Sequence, residues 1–241
     1  MIYISHGEKG GVGKSRLAMV LVDYLLASGR PVVIVEGDKS GADVGRRYVD
    51  QVDVGFINLN RPDAMEEAFS SLGGWIEQHA GGKDVVVNLP GQASSTLDQF
   101  GDLFVGTAET LGHGMTVFYS IGPLDLHTDN FRISMETGIM SFVPIDRRIV
   151  VMSERGGPIS GYHWTGSSLR KKFLDAGGKE GTMPVLKTED LEKRVRDIPG
   201  PYSSLLKSPS PLDVSNRGLL FRWLRAAHQT VKLGVEETCE K

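Results

Sequence analysis

Polar and apolar positions along the chain form two alternating textures: short runs rich in β-branched residues, and longer stretches with apolar residues every three or four places. The first predicts strands covered on both faces, the second amphipathic helices. Met1 to Ser5 reads as a strand, followed by a Gly-rich turn and a helix from Lys14 to Ser28 with Leu17, Val20, Leu21, Tyr24 and Leu25 on one face. Gly29 ends that helix and Pro31 opens the strand Val32 to Glu36. Arg61-Pro62-Asp63 precedes a helix with Met65, Ala68, Phe69, Leu72 and Ile76 on one side, and Asp84 to Leu89 gives a third strand. One helix carrying Leu97, Phe100, Phe104, Ala108 and Leu111 follows, then the strand Met115 to Ile121. Gly122-Pro123-Leu124-Asp125 opens another helix, Arg148 to Met152 is a strand, and Thr182 to Leu186 predicts a short last one.

This βαβα order predicts an α/β, doubly wound domain with a mostly parallel sheet flanked by helices, in which ligands lie beyond the carboxyl ends of the strands. Near residue 198 the texture changes, because Pro199, Gly200, Pro201 and the Ser/Pro positions through Pro211 read as a loop. The expected organisation is one domain over 1–198, then a Pro/Ser-rich tether and a terminal helix, about Val214 to Leu233, packing on that same domain over 199–241.

Composition narrows the chemistry. With 40% hydrophobic and 24% charged residues the chain is an ordinary globular protein. Its one cysteine, Cys239, excludes an internal disulfide, a Cys-rich zinc site and an iron-sulfur cluster. The N-terminal residues lack the basic and apolar regions of a signal peptide, and no window approaches the roughly 20 apolar residues of a membrane span, so a cytoplasmic protein is expected. Net charge is −3, unevenly spread: residues 1–120 carry 9 Lys+Arg and 15 Asp+Glu, residues 121–241 carry 18 and 15. That asymmetry permits a polyanion-binding face on the second half. The six histidines have no metal-ligand spacing, and Ser160 in Gly157-Pro158-Ile159-Ser160-Gly161 is wrongly spaced for a nucleophile elbow.

The chemistry sits between the first strand and the first helix, in Gly7-Glu8-Lys9-Gly10-Gly11-Val12-Gly13-Lys14-Ser15. Glycines let consecutive N–H groups face one concavity and the helix N-terminus adds partial positive charge. Lys14 can reach β and γ phosphates, and Ser15 can ligate Mg²⁺. Glu8 stands where the standard phosphate-binding loop begins with glycine.

The segment Lys9-Gly10-Gly11-Val12-Gly13-Lys14-Ser15, with its second lysine, resembles the deviant Walker A loop of the ParA/MinD family of partitioning and positioning ATPases. The resemblance follows the order of landmarks over roughly residues 1–190. It implies a P-loop NTPase fold, ATP and Mg²⁺ as cofactors, Gly10, Gly11, Val12, Gly13, Lys14, Ser15 and Arg16 around the phosphates, and Lys9 acting in trans on the partner's nucleotide in a homodimer. Glu36-Gly37-Asp38 is similar to the family's acidic pair after the second strand, which gives Asp38 the role of positioning the attacking water. Pro90-Gly91-Gln92 resembles switch II. Where the family has the Walker B aspartate this chain has Asn88, which can orient a Mg²⁺-bound water but brings no charge. Weakened metal affinity and hydrolysis are expected, and Asn88→Asp is expected to raise turnover. Ser153-Glu154-Arg155 and Met183-Pro184 fall where the family flanks the base, with Pro184 expected on adenine.

On the terminal helix Arg222, Arg225, Gln229 and Lys232 share one face, and Leu220, Trp223, Ala227 and Val231 another. The basic face is compatible with plain solvation, with non-specific contact to DNA phosphates extended by Arg170-Lys171-Lys172, or with an anionic membrane. Glu236, Glu237 and Glu240 argue against the membrane. The expected function is an ATP-dependent dimeric switch that binds DNA or a protein partner. A likeness to the plasmid-borne StbB/TraL-like subgroup implies partition, stability or conjugation. Two alternatives stay open: a small-molecule ligase or kinase of the dethiobiotin synthetase type, anchored by Asp38, Asp43, Arg46 and Arg47, and a nucleotide-binding adaptor without hydrolysis.

Overall fold

A computed structural model describes residues 1–7, 11–37, 42–58, 64–89 and 94–235. Among the described residues seven strands form one sheet in the order β3-β2-β4-β1-β5-β6-β7. They are β1 (Ile2–His6), β2 (Val32–Glu36), β3 (Val54–Phe56), β4 (Asp84–Asn88), β5 (Met115–Ile121), β6 (Arg148–Ser153) and β7 (Lys179–Met183). Every pairing is parallel. Successive side chains of a strand point to opposite faces, so Ile2 and Ile4 enter one apolar cluster while Tyr3 enters the other. The same split places Val85 and Val87 on one face of β4 and Val86 on the other.

One face is covered by α3 (Met65–His79), α4 (Ser94–Gln99), α5 (Gly101–Thr110), α6 (Asp125–Glu136), α7 (Ile139–Phe142), α8 (His163–Gly166) and α9 (Ser168–Asp175). The other is covered by α1 (Lys14–Ala27), α2 (Asp43–Tyr48), α10 (Glu189–Asp197) and α11 (Val214–Lys232). Among the described residues no helix is long and apolar enough to cross a membrane.

Two expectations are corrected. The single helix drawn through Leu97 to Leu111 is two, α4 and α5, broken at Phe100. Its apolar periodicity runs across the break because both pieces face one core. A Cβ on Gly101 would stand 2.8 Å from Ile139 Cα, so the break lies where α7 presses against the chain. The last strand is Lys179–Met183 instead of Thr182 to Leu186, since Pro184 has no N–H with which to continue the ladder. The strand β3, three residues long, has no periodicity to detect, and the helix α10 was not among the expected elements.

The Pro/Ser stretch before α11 packs closely: Tyr202, Leu205 and Leu212 are buried in the same cluster as α1 and α11. Asp23 of α1, fully buried, accepts the Ser203 N–H at 2.8 Å and meets His228 Nε2 of α11 at 2.8 Å. One carboxylate thereby joins α1, the loop and the terminal helix.

Candidate nucleotide site

The carboxyl ends of β1, β4 and β6 open on a cavity of about 510 Å³. Its phosphate-sized end is the turn from β1 into α1. Gly13 has φ 106, a left-handed conformation that side chains resist, and it directly precedes the helix. Among the described residues no side chain caps α1 at that end, and its first turn lines the cavity with the positive end of the helix dipole. Lys14 is buried in the cavity wall at 6% exposure, its backbone carbonyl accepting the Ser5 hydroxyl at 2.9 Å. Burial pulls its ammonium down from 10.5 to about 8. Gly11, Ser15 and Arg16 complete this wall.

Across the cavity β4 ends in Asn88, 4% exposed. Its Nδ2 donates to Glu36 Oε2 at 2.9 Å, and its Oδ1 is buried with no hydrogen-bond partner among the described residues. Glu36, fully buried, also accepts the Gly45 N–H at 2.6 Å. Desolvation raises its carboxyl to about 7 against the lowering effect of those hydrogen bonds.

The far end is assembled from β6, the 183–186 loop, α10 and α11. Val185 N–H donates to Glu154 Oε2 at 3.0 Å, and Trp223 Nε1 donates to the Pro184 carbonyl at 2.9 Å. Glu192 Oε1 accepts both Arg16 Nη2 and Arg155 Nη1, each at 2.6 Å, and the Arg16 guanidinium lies 5.5 Å from the Trp223 ring centre. Arg16 is thus turned along the wall toward α10 instead of into the phosphate end.

A glycine-lined turn at a helix N-terminus, a buried lysine and an orphaned amide oxygen form a donor set that fits a nucleotide carrying Mg²⁺. Among the described residues no three His, Cys, Asp or Glu side chains gather as a metal cage.

No family model matches the chain. Protein MobD of Acidithiobacillus ferrooxidans is 27% identical over 243 residues, with 98% of each chain covered. MinD of Aquifex aeolicus superposes with a TM-score of 0.54 at 13% identity, covering 100% of this chain and 99% of that one. The Aquifex MinC:MinD complex gives 0.52 at 14% identity, over 100% and 98%. MinD of Pyrococcus horikoshii, complexed with Mg-ADP, gives 0.50 at 14%, over 96% and 94%. The chain has the MinD fold.

On that MinD-like P-loop NTPase scaffold the expected residues separate. Gly11, Val12, Gly13, Lys14, Ser15 and Arg16 stand together at the β1–α1 turn, with Asn88 across from them and Pro184 in the opposite wall. Lys9, Gly10 and Asp38, and the switch II segment Pro90-Gly91-Gln92, lie outside the described residues. Arg222, Arg225 and Lys232 project from the exposed face of α11, whose other face is buried through Leu220, Trp223, Leu224, Ala227 and Val231. Arg170, Lys171 and Lys172 do not continue that face. They sit on α9 across the sheet, and Arg170 is committed to Glu180 in a two-pronged pair at 2.8 and 2.5 Å.

Among the residues weighed for a small-molecule enzyme, Asp43 reaches the cavity. Arg47 donates to the Val195 carbonyl at 2.8 Å and stacks 3.9 Å over Tyr202, which makes it a packing element. The sequence reading missed the Glu192 bridge and the Glu36–Asn88 pair. The first had a signal, since Glu189, Asp190 and Glu192 fill the first turn around Leu191, ahead of Val195, in the pattern of a helix start.

Proposed function

We propose that this chain is an ATP-operated switch of the ParA/MinD kind, binding ATP and Mg²⁺ in the cavity, pairing with a second copy through Lys9, and hydrolysing weakly. One observation carries it: Lys14, buried and with its ammonium pulled down to about 8, stands beside the uncapped N-terminus of α1 in the wall of a 510 Å³ cavity. An anion beside it favours the charged form of a desolvated ammonium. Phosphates supply that anion, and the amides of α1 supply their hydrogen bonds.

The resident chemistry is divided among the chain's own groups. Lys14 and the amides of α1 hold phosphate, Ser15 and Asn88 orient the metal, Asp38 positions the attacking water, and Pro184 lies against adenine. Weak turnover follows from Asn88, an acceptor without charge. The solved relatives of this fold support the assignment, one holding Mg-ADP and another holding MinC. Nucleotide bound between two copies stabilises the pair by its differential affinity. The pair then presents the basic face of α11 to DNA, or another face to a protein partner. Plasmid partition, stability or conjugation in the cytoplasm is the setting this chemistry serves.

Light scattering with and without ATP and Mg²⁺ tests the switch. The mass doubles with nucleotide in the native chain and stays monomeric in Lys9→Ala. A native chain that binds ATP and remains monomeric refutes the dimer.

A further inference from the structure

Glu36 and Asn88 end adjacent parallel strands and are register partners, β2 beside β4. Both are buried, so their polar atoms must find partners within the protein. The Asn88 amide turns its nitrogen toward Glu36 and its oxygen away from it. The oxygen so directed is the buried Oδ1 that has no partner among the described residues, on a side chain that lines the cavity with Ser15. The other carboxylate oxygen is held by the Gly45 N–H. A Cβ at Gly45 would stand 3.0 Å from Glu36 Cγ and 2.9 Å from Val54 Cγ1, so this approach of α2 depends on glycine.

An aspartate at position 88 would set two carboxylates against each other where a 2.9 Å hydrogen bond now stands. With the amide in place, the carboxyl group stands on β2 and the acceptor on β4.

We infer that Glu36 is the positioning residue for the metal end of the site. It holds the Asn88 amide so that Oδ1 is the atom offered to the hydration shell of nucleotide-bound Mg²⁺, and it places on β2 the carboxyl group that an aspartate would place on β4. The inference deepens the nucleotide-switch function and rests on it. It also changes the expectation for Asn88→Asp, which adds a carboxyl beside one already present. The informative variant is the exchange of the two side chains.

The test is the affinity of the full chain for N-methylanthraniloyl-ATP, titrated with Mg²⁺. Glu36→Gln weakens the apparent Mg²⁺ affinity about 10- to 100-fold, the range seen when outer-shell partners of metal ligands are removed. Its Mg²⁺-free nucleotide affinity is unchanged, which reports a folded site. Glu36→Gln/Asn88→Asp, with amide and carboxylate exchanged, returns Mg²⁺ affinity toward that of the native chain. Unaltered Mg²⁺ affinity in Glu36→Gln overturns the inference, and so does an exchanged variant as weak as Glu36→Gln. Lys14→Ala separates the two levels: if it binds the analogue as tightly as the native chain, the nucleotide site itself is refuted. If it does not bind and the exchange fails, only the role of Glu36 falls.

Discussion

The two ends of the cavity are built in opposite ways. At the phosphate end the donors come from one continuous run, Gly11 to Arg16, bent by a left-handed glycine into the first turn of α1. At the far end the wall is assembled from β6, the 183–186 loop, α10 and α11, tied by Glu154 to Val185, Trp223 to Pro184, and Glu192 to two arginines. The first end exists as soon as β1 and α1 form. The second exists only when segments from residue 153 to residue 223 have docked, so its shape depends on packing far along the chain. A fixed anion grip with an adjustable opposite wall suits a ligand whose phosphates are constant and whose remainder is to be discriminated.

The largest expected effect breaks the phosphate end. Lys14→Ala removes a buried cation facing the phosphates, a loss of about 3–5 kcal/mol in ATP affinity, or more than about 100-fold. The same lysine gives the end a pH signature. Its ammonium is lowered to about 8 in the free protein, so above that pH it is increasingly neutral and ATP binding must take up a proton. Affinity measured by calorimetry is therefore flat toward neutral pH and falls as pH rises above about 8, and Lys14→Ala abolishes the slope. A native affinity that is level from pH 7 to 9 shows that Lys14 does not meet the phosphates.

The same contrast explains what was legible in the sequence. Five of the seven described strands and the phosphate turn follow from local pattern, since β-branched runs and a Gly-Lys-Ser turn need only near neighbours to declare themselves. β3 has three residues and no periodicity to detect. β7 reads Lys-Glu-Gly-Thr-Met, half-buried at the sheet edge, so its pattern gave way to the more apolar residues after it. The Glu36–Asn88 contact joins residues 52 positions apart and the Glu192–Arg16 contact residues 176 apart. Neither spacing carries a period, because sheet order and helix docking decide both. Glu36 was visible as an acid at the end of a strand, but its partner required knowing that β4 lies beside β2.

A smaller effect sharpens the contrast from the far end. Glu192 collects Arg16 and Arg155 on one oxygen, and Glu192→Gln weakens both ion pairs while keeping the side-chain shape. Since Arg155 is largely exposed and Arg16 half-buried, the direct loss is about 1 kcal/mol or less. The expected outcome is a change of a few fold in the preference between ATP and GTP, with affinity for inorganic triphosphate unaltered, measured by competition against a fluorescent nucleotide. Equal shifts for ATP, GTP and triphosphate would mean that the two ends act as one.

The smallest effect concerns α11, the element that ties the far end to the molecular surface. Its inner face places Trp223 against the Pro184 carbonyl and the Arg16 guanidinium, while Arg222 and Arg225 face outward. Charge reversal at Arg222 and Arg225 touches no buried contact of the helix and leaves nucleotide affinity as it was. If these arginines neutralise DNA phosphates, each contributes about 0.9 to the slope of log affinity against log salt, so the pair of reversals lowers that slope by about 1.8. Retention on DNA at low salt that does not change would move the polyanion contact off α11 and favour a protein partner. A changed slope that also depends on bound nucleotide would show that α11 transmits the state of the far end, because the same rigid helix carries both faces.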